Sequence, residues 1–159
     1  MVKFVLDADA SIKLAKAGVL EHLTLFAKCF VSKQVYDEVL KGRDRMYEDA
    51  FEIERLSKKG NITLSTVEYE KIEGLGAGEC STLVLFKKSK AHSILSDDRK
   101  FLSVLLELKI PFIIPTDIIA MLFIKRRISR IEAIGALDRI RQSVREESYI
   151  SAIKTMGGK

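Results

Sequence analysis

Phe4-Val5-Leu6-Asp7-Ala8-Asp9-Ala10-Ser11 is the stretch whose reading decides the fold. An apolar run climbs into an acidic turn, and a helical pattern starts directly after it. That order predicts a buried parallel strand feeding a helix. In an open α/β sheet, ligands bind outside the carboxyl ends of the strands, so Asp7 stands at the reactive edge. A carboxylate taken out of water there is costly unless cations or hydrogen bonds offset it. Other acids arriving at the same edge would mark a site.

Outward from that stretch, Asp9 or Ser11 is the expected cap of a helix carrying Ile12, Leu14 and Ala15. Gly18 interrupts it, and Val19, Leu20, Leu23 and Phe26 resume helical spacing. Residues 29–31 read as a second strand, and Ser32 as the cap of a helix that buries Val35 and Val39 beside Glu38. Gly42 closes that helix. Met46, Ala50, Ile53 and Leu56 share one face of an amphipathic helix within 45–59. Residues 62–65 form a third strand. Gly74-Leu75-Gly76-Ala77-Gly78 lacks the Lys-Ser/Thr ending of a phosphate-binding loop, and is read as a flexible approach to the next helix. That helix begins near Glu79, with Leu83 and Phe86 four and seven residues on, so Glu79 faces inward.

Residues 93–96 make a fourth strand, and Asp97-Asp98 land on its carboxyl end. The following helix is expected to bury Phe101, Leu102, Leu105 and Leu108. A fifth strand, 112–114, lies between Pro111 and Pro115. Thr116 or Asp117 then caps a very apolar helix ending at Lys125-Arg126-Arg127, a positive helix end. Ile128, Ile131, Ile134, Leu137 and Ile140 mark further helix from about residue 128, packing on the domain or on a partner. Strands separated throughout by helical segments predict a parallel sheet covered on both faces, in one domain over 1–159.

Bulk properties narrow the function. A chain of 159 residues, 47% hydrophobic and 31% charged, suits an ordinary globule. The longest purely apolar run, 118–124, falls far short of the roughly 20 residues that cross a bilayer. The start shows no basic segment followed by a long apolar core, and a cytoplasmic protein without membrane association is expected. Cys29 and Cys80 form neither a metal-binding pair nor a disulfide framework, and read as buried free thiols. His22 and His92 are far apart, which excludes a histidine-rich metal site and predicts solvent-facing side chains. The net charge of +5 fits a polyanionic partner, but lysine-rich solubility explains it equally well.

Four acidic positions stand out: Asp7, Glu38, Glu79 and the Asp97/Asp98 pair. Two of the strand ends that carry them are expected to be neighbours. Carboxylates gathered within a few ångströms repel, and they either take up protons or bind a cation. Oxygen ligands without histidine or cysteine select Mg²⁺ or Mn²⁺ over zinc. Such an ion orients a phosphodiester and lowers the pKa of an attacking water. Neither histidine has the context for a Ser-His-Asp or Cys-His centre. The plain alternative is that Asp7, Asp9 and Asp97 or Asp98 are helix caps, Glu79 a favourable charge at a helix start, and Glu38 a solvated residue.

Together Val5-Leu6-Asp7-Ala8-Asp9-Ala10-Ser11, Val35-Tyr36-Asp37-Glu38-Val39, Gly78-Glu79-Cys80 and Leu95-Ser96-Asp97-Asp98-Arg99-Lys100-Phe101 resemble a PIN domain, over nearly the whole chain. The resemblance implies a Rossmann-like α/β/α fold with a central parallel sheet of about five strands. It also implies a divalent-metal-dependent ribonuclease, often the toxin of a VapBC-type toxin–antitoxin pair. Carried over by motif, Asp7 and Glu38 are the first two metal carboxylates, Glu79 opens the Gly-Glu helix, and Asp98 is the acid of a Thr-x-Asp-x-x-Phe pattern. Ser96 stands in the Thr position and Phe101 at its end. Asp97 is an extra acid, a ligand or a support behind the ligands, as Asp9, Ser11 and Ser96 would be. Where the family usually has a small polar residue two after the first acid, this chain has Asp9. The implied reaction leaves a 5′-phosphate and a 3′-hydroxyl. Lys13, Arg43, Arg45, Arg99 and Lys100 adjoin the acidic motifs as candidate RNA contacts; the implied partners are RNA, an antitoxin and a second copy of the chain.

Two rivals come from other classes. Leu6-Asp7-Ala8-Asp9-Ala10-Ser11 also fits the opening of haloacid-dehalogenase-like phosphatases, with Asp7 as nucleophile and Asp9 as general acid. That reading leaves Glu38 and Glu79 idle and lacks a lysine at a fitting distance ahead of Ser96. The other rival is a catalytically silent domain whose isoleucine-rich carboxyl-terminal helices present an apolar face to a partner.

Overall fold

A computed structural model describes residues 1–42 and 47–157. The chain starts with β1 (Lys3–Leu6), α1 (Ala8–Lys16), α2 (Leu20–Phe26), β2 (Lys28–Ser32) and α3 (Lys33–Leu40). It continues through α4 (Glu48–Lys58), β3 (Ile62–Ser65), α5 (Ala77–Ser89), β4 (Ser93–Leu95), α6 (Arg99–Glu107) and β5 (Phe112–Ile113). Three helices follow: α7 (Pro115–Ile124), α8 (Arg130–Ile140) and α9 (Glu146–Thr155). All strand pairs are parallel, in the order β3-β2-β1-β4-β5. The chain builds β1 to β3 on one side, then returns to lay β4 against the other edge of β1. The order in which strands are added therefore reverses between β1 and β4, where α/β sheets open a crevice at their carboxyl ends.

Side chains alternate across the sheet, as the two-residue period of a strand requires. Phe4, Leu6, Cys29, Val31 and Leu95 join one core with residues of α1, α2, α4, α7 and α8. Val5, Phe30 and Ile94 join a second with Cys80 and Leu83 of α5 and Phe101, Leu102 and Leu105 of α6. The result is the expected three-layer α/β/α, PIN-like architecture around five parallel strands. Both cysteines are buried and free.

Several local expectations need correction. Asp7, rather than Asp9 or Ser11, caps α1, its Oδ1 accepting from Ala10 N–H at 2.8 Å. Helix follows strand with no connector, so the last residue of the turn is also the first of the helix. At α7 neither Thr116 nor Asp117 caps; Ile114 is the boundary and Pro115 takes the first helical position, where its fixed φ and missing N–H cost nothing. Leu108 is 53% exposed because it lies past the last turn of α6. Of the two histidines His92 is exposed, its Nδ1 accepting from Lys3 N–H, while His22 is only partly exposed.

The carboxyl-terminal helices pack on the domain: α8 against α7 and α1, α9 against α7. The buried stripe of α8 is Ala133, Ala136, Leu137 and Ile140, whereas Ile131 is 85% exposed. Ile128 precedes α8, and a slip of about 60° per three-residue step puts Ile131 about 120° round that helix from the buried Leu137. Among the described residues no helix is long and apolar enough to cross a membrane.

Candidate functional site

A cleft of about 560 Å³ opens at the carboxyl edge of the sheet, and Asp7, Glu38, Glu79 and Asp98 all line it. Asp7 forms its floor. Its N–H donates to the Leu95 carbonyl at 3.2 Å, which bonds the ends of β1 and β4 together. The Asp7 carbonyl accepts from Ser11 N–H at 3.1 Å and from the Ser11 hydroxyl at 2.8 Å. Ser11 thus supports the backbone of Asp7 rather than its carboxylate. With 4% of Asp7 exposed, burial pushes its pKa up to about 7. The Ser96 hydroxyl and the Ala10 N–H work against that rise, and the charges of Asp9 and Asp98 add to it.

Glu38 comes from α3 and is exposed on the cleft wall. As expected, Ser32 caps this helix, accepting from Val35 N–H at 3.1 Å. Ser32 Oγ also lies 2.7 Å from Ser81 Oγ. Ser81 spends its proton on the Gly78 carbonyl at 2.9 Å, so Ser32 donates to Ser81. Thr82 donates to the same carbonyl at 2.7 Å. This buried hydroxyl chain fixes α3, which carries Glu38, against the start of α5, which carries Glu79. Sequence reasoning missed Ser81 and Thr82; two hydroxyl residues directly after a buried cysteine were the available signal.

Gly78 is needed for a close approach. A Cβ there would stand 2.9 Å from Glu38 Oε2 and 3.4 Å from Val35 Cγ2. The Gly-Glu pair therefore places one carboxylate and makes room for another.

Glu79 sits in the first turn of α5, its Oε2 accepting from Gly76 N–H at 3.2 Å. Burial raises its pKa, with Asp98 and Glu38 adding to the rise; the Gly76 N–H and Lys100 oppose it. Asp98 caps α6, its Oδ1 accepting from Phe101 N–H at 2.9 Å, while its own N–H donates to Ser96 Oγ at 3.2 Å. Capping and lining the cleft are compatible. Each of Asp7, Glu79 and Asp98 uses one named oxygen for its helix, and a carboxylate has two. The amino termini of α1, α5 and α6 meet here, and their positive ends partly offset the gathered acids.

Asp97 takes another direction and does not line the cleft. Its carboxylate lies 3.0 Å from Lys13 Nζ and 3.2 Å from Arg145 Nη2, with 4% of the side chain exposed. Lys13, at 12% side-chain exposure, also stands 3.1 Å from Asp9 Oδ2, without hydrogen-bonding geometry. Burial lowers the Lys13 pKa, but Asp97 and Asp9 outweigh it and the net shift is upward. Lys13 is thus spent on two acids. Arg99 faces a separate groove shared with Arg145, Asp117 and Glu147. Lys100 stands beside Gly74, its Nζ 3.9 Å from where a Cβ would be. The expected RNA contacts Arg43 and Arg45 lie outside the described residues. Gln34, Asp37 and Lys41 also line the cleft and were not anticipated.

Among the described residues no three acids, histidines or cysteines stand close enough together, as placed, to chelate an ion. The donor set nevertheless suits a hard dication. Six carboxylates, those of Asp7, Asp9, Asp37, Glu38, Glu79 and Asp98, line one cleft with no histidine or thiolate among its lining residues. Glu38 and Asp98 are exposed, so their side chains can change rotamer without disturbing the core.

The fold and site define a three-layer α/β/α protein with an acid-lined crevice at the switch point of a five-stranded parallel sheet. The family model for the PIN domain matches residues 3–154, and the chain belongs to that family. Its fold is a nuclease fold, one that generally uses divalent metal ions and acts on RNA. No curated protein matches the chain.

Proposed function

We propose that this protein is a divalent-metal-dependent endoribonuclease whose cleft holds Mg²⁺ or Mn²⁺. The convergence of Asp7, Glu38, Glu79 and Asp98 on one crevice carries the reading. Asp7, Glu38 and Asp98 would hold the ion; when bound, it offsets phosphate charge and acidifies an attacking water. The remaining work belongs to the protein. Asp7 anchors the site through the bonded ends of β1 and β4. Glu79, whose carboxyl is held above its ordinary range, is placed to take the proton of the attacking water at Oε1 while Oε2 stays on Gly76 N–H. Ser96 supports both Asp7 and Asp98. Asp97 serves the architecture by anchoring Lys13 and Arg145.

The resemblance to VapC-type toxins supports a toxin role with an antitoxin as partner, and a homodimer. A small neighbouring reading frame whose product blocks cleavage would establish the pair. The phosphatase alternative loses ground, because Glu38 and Glu79 share the crevice with Asp7 and Asp9 is engaged by Lys13. The test is cleavage of single-stranded RNA by purified protein with Mg²⁺ or Mn²⁺. Product is expected from the wild type and not from Asp7→Asn or Glu38→Gln. Equal cleavage by both variants overturns the ligand assignment; no cleavage with any metal or RNA leaves a binding module.

A further inference from the structure

We propose that Lys41 is the phosphate-binding cation of the cleft, taking a phosphate that flanks the scissile one on the α3 side. This inference rests on the nuclease reading. A crevice lined by Asp7, Asp9, Asp37, Glu38, Glu79 and Asp98 repels a polyanion, even after one dication has been bound. Among the described residues, Lys41 is the one cation that lines it. Its side chain is exposed and forms no ion pair among the described residues. The nearby lysines are committed elsewhere: Lys33 to Asp37, and Lys13 to Asp97 and Asp9.

Lys41 follows Glu38 by three residues at the end of α3, a spacing that puts both on one helix face. The expected outcome of such a spacing is a mutual ion pair. Here the Glu38 carboxylate is instead directed at Gly78, where a Cβ would stand 2.9 Å from its Oε2. Lys41 is left with its charge unneutralised beside the carboxylates. Lys100 stands beside Gly74, which leads into α5 from the other direction. A phosphate held by Lys41 lies beyond the cut, and Lys100 adds positive charge near Glu79 from outside the cleft lining, so the substrate is an oligonucleotide with phosphates beyond the cut. A dinucleoside monophosphate, whose single phosphate is the scissile one, gains nothing from Lys41.

The test is binding, read without turnover. A labelled single-stranded RNA 10-mer is titrated with Asp7→Asn protein in Ca²⁺ over a range of salt, with and without Lys41→Ala. Lys41→Ala is expected to weaken binding about tenfold and to flatten the log K against log salt slope by about 0.7, the loss of one phosphate contact. Lys41→Arg restores the slope, because it keeps the charge. Equal thermal midpoints exclude misfolding, since Lys41 is exposed. An unchanged slope in Lys41→Ala, or a parent protein that does not bind RNA, overturns the proposal. The two readings separate: a wild type that binds in a Lys41-dependent way but never cleaves sinks the nuclease alone. One that cleaves with Lys41→Ala unaffected sinks Lys41 alone.

Discussion

Asp97 and Asp98 are adjacent acids at the end of one strand, and they meet opposite fates. Asp97 is buried between Lys13 and Arg145, with both carboxylate oxygens paired to cations. Asp98 is exposed on the cleft, with one oxygen on a helix cap and, among the described residues, no cation within ion-pairing distance. The first arrangement is finished, since its charge is already matched. The second keeps unmatched negative charge beside Asp7, Glu38 and Glu79, which a stable fold has no reason to assemble. What separates structure from function here is whether the compensating charge belongs to the chain.

The largest break between the two should be catalytic. Asp98→Asn keeps the acceptor that caps α6, yet is expected to cut RNA cleavage by about 100-fold or more with little loss of stability. Asp97→Ala should do the reverse. It takes the Asp97 carboxylate from Arg145 and leaves Lys13 with Asp9 alone, and urea unfolding should show a loss of about 2 kcal/mol. If the two variants exchange phenotypes, the division is wrong.

Gly78→Ala sharpens the comparison within the cleft. The added Cβ meets the mobile end of Glu38 rather than backbone, so the fold should be kept and helix propensity should even gain up to about 1 kcal/mol. Cleavage should fall about tenfold through weakened metal affinity, recovered by raising the metal concentration. A calorimetric melt and a metal titration of the rate would check both halves.

The last effect is a pH dependence. Folded Asp7 holds its proton up to about 7, whereas the unfolded chain releases it near 3.8. Between those values the folded state binds more protons, so this group's contribution to stability falls as pH rises through that window. In metal-free protein, Asp7→Asn retains the α1 cap and should melt higher than wild type at pH 8, with the gap closing towards pH 4. A gap independent of pH would show that burial does not set the Asp7 titration.

Much of this was legible in the sequence. Asp7, Glu79 and Asp98 lie directly at a strand end or helix start, so local pattern fixes their edge of the sheet. Parallel pairing of β1 with β4 then brings the first and last together. What could not be read depends on distant partners. The opposite directions of Asp97 and Asp98 follow from Lys13, 84 residues away, and Arg145, 48 residues away. The exposure of Ile131 is a matter of helix phase, which isoleucines spaced by three obscure. The roles of Ser81 and Thr82 exist only once α3 and α5 are packed against each other.

The most direct test of the division is a calorimetric titration of Mn²⁺ into wild type, Asp98→Asn and Asp97→Asn. We expect one saturable site in the wild type, weakened at least about tenfold by Asp98→Asn and left within about twofold by Asp97→Asn. A site that survives Asp98→Asn and disappears in Asp97→Asn would contradict the account.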